Sequence, residues 1–253
     1  MEVNPQTLLT DYAPHEKAAY LGALAALATA DRKATEEEIG QLREVAEAAG
    51  ISSEEERSII DAAQDPTGND LKKCLDTLKG SNLKYSLITD LIAVAKADDS
   101  YTQEEQRNIQ KVARYMNVNQ DQFSALDELV TKAAEQPHSP EDLSKPNFIQ
   151  STGMESKLQD AGLNIGSMGK SLLGFLGPMI LGSLAGKALG GGRKGSGGLG
   201  GLAGGVLGGM LGGGGTSGMN LLGGMGGLGS LISGLNKGRS NNSIGGMLGK
   251  IFQ

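Results

Sequence analysis

The sequence predicts an all-α protein: a compact bundle of about seven helices with an internal helix-loop-helix duplication, then a glycine-rich C-terminal tail, partly helical or disordered. Three observations predict it. Between residues 14 and 134 apolar side chains recur at three- and four-residue steps, with no alternating strand pattern. That stretch also aligns with itself, without a gap, at an offset of 67 residues. Finally, the composition changes near residue 150, because 35 of the 40 glycines lie beyond it.

The first helix opens at Pro14, which suits an initial helical turn, and runs in Ala and Leu as a buried helix does. The second has Ile39, Leu42, Val45, Ala46 and Ala49 on one face and is closed by Gly50. Five more are expected at roughly 53–63, 69–79, 82–97, 104–116 and 120–134. In the duplication Leu24 aligns with Leu91, Ala28 with Ala95, Asp31 with Asp98 and Thr35 with Thr102. Glu37 and Glu38 align with Glu104 and Glu105, and Val45 and Ala46 with Val112 and Ala113. Three parts result: an acidic helical domain over 1–135, a proline-containing linker over 136–152, and a Gly/Leu/Met-rich glycine-zipper tail over 153–253.

Charge divides with composition. The first 150 residues carry 15 basic and 27 acidic side chains, a net −12, while the tail carries eight and two, a net +6. Such asymmetry points to two tasks with different partners. One cysteine, Cys74, excludes an intramolecular disulfide and a multi-thiolate zinc site. With only His15 and His138, any bound metal is expected to be one that takes oxygen ligands. The N-terminal stretch lacks a basic region followed by an apolar one, so the cytoplasm is the expected compartment.

The repeated acids have two readings. Thr35 with Glu38 and Thr102 with Glu105 have capping-box spacing, and acids in a first turn suit the helix dipole, so capping alone accounts for Glu37, Glu38, Glu104 and Glu105. It does not account for Asp31 and Asp98, which follow the preceding helix where the dipole disfavours an anion. Two such units brought together would gather carboxylates suited to a hard divalent cation. Neither loop is an EF-hand, since the alternating ligands and central glycine are missing.

The stretches "ALATADRKATEEEI" and "AVAKADDSYTQEEQ" resemble the repeated Ala-Asp-Gly, Ser/Thr, Glu-Glu signature of the tellurite-resistance TerB family, over roughly residues 14–134. The resemblance implies an all-helical, non-enzymatic stress-resistance domain that acts near membrane partners and binds calcium or another divalent cation through its acids. Carried over by position, those acids are Asp31, Glu37, Glu38, Asp98, Glu104 and Glu105. The glycine usual after the aspartate is replaced by Arg32 in the first copy and by Asp99 in the second. Asp99 therefore joins the metal candidates, and the second copy is the better furnished.

In the tail, glycine recurs every fourth residue through Gly182, Gly186 and Gly190, then from Gly197 through Gly201, Gly205 and Gly209 to Gly213. That spacing puts glycines on one helix face, where another backbone can approach. From Ser171 to Gly186 the apolar run is shorter than the roughly 20 residues a spanning helix needs. Three readings of the tail stand: contact with or insertion into the inner (cytoplasmic) membrane, self-association, or a disordered linker. The tail is also similar to the glycine-zipper tails of the calcyanin family, tied to intracellular calcium carbonate, which implies metal or mineral handling by a scaffold. Nucleic acid is not an expected partner of so acidic a front domain. "GKS" at Gly169 to Ser171 lacks the earlier glycine of a phosphate loop, since position 164 is Asn164, and no catalytic triad stands out. The protein is expected not to be an enzyme.

Overall fold

A computed structural model describes residue 9, residues 11–29, 33–97, 102–135 and 147–168, and residue 172. The side chains of residues 41, 48, 97, 104, 167 and 168 lie outside that description. Among the described residues every regular element is helical: α1 Pro14–Ala28, α2 Glu36–Ala48, α3 Ser53–Gln64, α4 Asn69–Leu78, α5 Leu83–Ala97, α6 Gln103–Tyr115 and α7 Gln120–Glu135. Three short ones follow, α8 Phe148–Ser151, α9 Glu155–Asp160 and α10 Ile165–Met168. The seven predicted helices are present within about two residues at each end.

Two helices carry the core. From Ala18 to Ala28 every residue of α1 is buried, as expected of a helix apolar all round. Its counterpart α5 buries Leu87, Ile88, Leu91, Ile92, Ala93 and Val94. Around α1 pack α3 and α4, while α6 and α7 pack on α5, and α1 touches α5 to join the halves. The outer helices are amphipathic; α6, for example, turns Ile109, Val112 and Ala113 inward while Arg107 and Lys111 stay exposed.

The duplication extends to the backbone. Helices α2 and α6 begin 67 positions apart, as do α3 and α7. All four start with reciprocal caps. At α2 the Thr35 amide donates to Glu38 Oε2 (2.8 Å) and the Glu38 amide to Thr35 Oγ1 (3.3 Å). Thr102 and Glu105 repeat this at α6 (2.9 and 3.2 Å). Ser52 with Glu55 caps α3 (3.3 Å both ways), and Asn119 with Gln122 caps α7 (3.1 and 2.9 Å). Each pair satisfies two of the amides a helix start leaves unpaired. The ends of α2 and α6 match too: the Ile51 amide reaches the Ala46 carbonyl (2.9 Å), as the Val118 amide reaches that of Ala113 (2.8 Å).

Buried side chains continue past residue 146. Phe148 and Ile149, which the sequence division assigns to the linker, and Met154, Leu158, Leu163 and Leu172, assigned to the tail, are all buried in the core. Helix α9 packs on α7. The remainder of the tail, including every glycine from Gly169 onward, lies outside the described residues.

Candidate functional site

The repeated acids flank two equivalent loops, one joining α1 to α2 and the other α5 to α6. In the first, helix α1 ends at Ala28 and Thr29 caps it, the hydroxyl lying 3.0 Å from the Ala25 carbonyl. The same hydroxyl is 2.7 Å from the Ala63 carbonyl near the end of α3, to which the Ala34 amide also donates at 3.2 Å. Both ends of the segment that contains Asp31 thus meet on one carbonyl. Asp31 itself lies outside the described residues.

The second loop is anchored on the corresponding helix by different chemistry. Position 96, the counterpart of Thr29, is a lysine, and its ammonium forms an ion pair with Asp127 Oδ1 of α7 at 3.0 Å. It also donates to the hydroxyl of Thr131 and, at 3.3 Å, to the Asp127 carbonyl. Lys96 and Asp127 side chains are only 16% and 25% exposed, so this pair is screened less than a surface bridge. A protein cation therefore stands two residues before Asp98, where the first copy has a neutral hydroxyl.

The glutamates divide by exposure. Glu37 is exposed, whereas Glu38 is buried, with one oxygen taken by the amide and hydroxyl of Thr35 (2.8 and 3.1 Å). Glu105 is half-buried and serves Thr102 identically (2.9 and 3.1 Å). The capping reading of these two is thereby realised. Asp98, Asp99 and the side chain of Glu104 lie outside the described residues with Asp31. Among the described residues no three His, Cys, Asp or Glu side chains converge as they would around a metal ion.

A shallow cleft of about 310 Å³ opens between α6 and α7, lined by Gln106, Ser124, Asp127, Glu128 and Thr131 with Phe123 at its base. It adjoins the foot of the second loop through Asp127 and Thr131. Its carboxylates are already matched by cations: Asp127 by Lys96, and Glu128 by Lys157 of α9 and by Lys132 at 3.9 Å. The Lys157 contact holds the Glu128 carboxyl below its usual range. Cys74, by contrast, is pushed up to about 12, first by burial and then by the Asp70 charge, so at neutral pH it is a thiol and a poor nucleophile.

Sequence reasoning missed two features. Asp90 is wholly buried in α5 and accepts a hydrogen bond from the hydroxyl of Tyr20 in α1. The signal was an acid inside the apolar run "LITDLIAV", since a buried carboxyl must find a donor. The clamp of Lys96 on Asp127 and Thr131 spans more than thirty positions and left no local signal.

Compared with known proteins, residues 17–128 match the family model described as tellurite resistance protein TerB. No curated protein and no solved structure gives a significant match.

Proposed function

Taking residues 17–128 as a TerB-family domain, related by that description to tellurite resistance, we propose that the protein is a non-enzymatic cation-binding module of a stress response. The loops after α1 and α5 supply the ligands: Asp31 with Glu37 and Glu38, and Asp98 and Asp99 with Glu104 and Glu105. Calcium, a hard ion that takes carboxylate, carbonyl and hydroxyl oxygens, is the ion best suited to such a set. The observation that supports this reading is the matched helices and caps on either side of the two loops. Each runs between equivalent helices and is followed by the same reciprocal cap, and in the sequence an aspartate precedes the capping threonine by four positions both times. The second copy, with one more aspartate, is the stronger of the two.

The basic tail then meets anionic lipid at the inner face of the cytoplasmic membrane. No helix among the described residues is long and apolar enough to cross a membrane, which suits contact through the tail better than a span by the domain. The capping role of Glu38 and Glu105 favours a second reading, a scaffold whose tail self-associates and whose head binds a protein partner.

Titration calorimetry of the full chain with calcium chloride separates the two. The first reading expects saturable heat that Asp98→Ala with Asp99→Ala reduces at least tenfold and Asp31→Ala reduces less. No heat, or heat unchanged in the double variant, rejects it. Flotation with anionic vesicles tests the tail, since a chain that stays at the bottom as a large assembly supports the scaffold.

A further inference from the structure

The matched family region ends at residue 128, yet buried side chains continue to Leu172. We infer that residues 147–168, with Leu172, are the missing fourth element of the second repeat: a strap that takes on α5 and α7 the seat α4 takes on α1 and α3.

The first copy has four helices, and α4 fills its seat with Leu71, Leu75 and Leu78, all fully buried. The 67-residue offset carries α4 onto residues 136–145, "QPHSPEDLSK", which hold one leucine and two prolines. Such a segment cannot replace three leucines on a helix face. The second copy would leave the flanks of α5 and α7 bare, and the described residues from 147 onward bring Phe148, Ile149, Met154, Leu158, Leu163 and Leu172 to the same core.

The correspondence holds at single residues. Gly22 of α1 is the position against which α4 presses: a Cβ built there would lie 3.0 Å from Cys74 Sγ. Its counterpart in α5 is Thr89, buried, whose hydroxyl lies 2.6 Å from the Leu172 carbonyl. On the other flank α4 touches α3, as α9 touches α7, where Lys157 pairs with Glu128. The strap has its own stop: Gly162, at φ 80°, lets the Leu163 amide reach the Leu158 carbonyl (2.9 Å) and sets two buried leucines side by side.

The test uses the full chain with a protease site inserted between residues 136 and 146 and an affinity tag at the N-terminus. After cutting, the C-terminal fragment should stay with the tagged one, and the amides of α5 and α7 should remain protected from hydrogen exchange. Leu158→Asp should release the fragment and speed exchange in α5 and α7 at least tenfold, leaving α1 and α4 protected. Lys157→Glu, at a half-exposed position, should shorten retention severalfold. Release from the unsubstituted chain, or retention unchanged in both variants, overturns the inference.

Discussion

Gly50 and Asn117, separated by 67 positions, hold the same left-handed backbone, with φ of 67° and 61°, each just after the end of its helix. Each amide returns to the carbonyl three residues back, Gly50 to Glu47 at 2.9 Å and Asn117 to Arg114 at 3.1 Å. One turn has been kept with two residue types, both among the few that visit this region at low cost.

Replacing them should therefore give unequal results. Gly50→Ala meets nothing within 4 Å, so its cost is conformational alone, roughly 1–2 kcal/mol. Asn117→Gly should be neutral or slightly stabilising. Urea denaturation measures both, and an unchanged midpoint in Gly50→Ala contradicts this account of the turn.

The caps give a graded pair. Thr35→Ala and Thr102→Ala each remove a hydroxyl that accepts from an amide, costing roughly 0.5–2 kcal/mol. Because Glu38 is buried while Glu105 is half-buried, the first loss should be the larger. Thermal melts of the two variants rank them directly.

Gly22 is constrained by space. An added Cβ would lie 3.0 Å from Cys74 Sγ and 3.7 Å from Ala62 Cβ, so a branched side chain has no room. Gly22→Val should destabilise by roughly 1–3 kcal/mol through overpacking. The thiol of Cys74, unreactive while α4 is seated, then reports the damage: maleimide labelling should accelerate in the variant.

Acid should act at the start of α4. Burial pushes the Asp65 carboxyl up, but the Thr67 hydroxyl and the amides of Asp70, Thr67 and Asn69 together hold it below its ordinary 3.8. A lowered folded value means that the stabilisation is complete above the unfolded value and is lost as pH falls through the folded one. The window thus lies below about pH 4. In Asp65→Asn the stability gap to the parent should shrink as pH falls below about 4; a gap constant with pH would assign the effect to something other than ionisation.

The helices of the two repeats were legible because their signals are local. Proline at the first turn, Thr or Ser three residues before Glu, and Gly after an apolar face each act within one or two turns. The capping reading of Glu38 and Glu105 was legible for the same reason. Residues 147–168 were not, since helices of four to six residues are too short to display a period and their apolar side chains are scattered among Gly, Ser and Asn. Nor were Tyr20 with Asp90, or Lys96 with Asp127, because those pairings depend on which faces of distant helices meet.

The non-identity of Gly22 and Thr89 gives the duplicated domain a direction. A strap seated on the first copy would find no hydroxyl for its terminal carbonyl, and α4 seated on the second would meet a side chain where it needs bare backbone. The two halves are therefore alike in their frame and unlike in their seats, and neither outer element fits the place of the other.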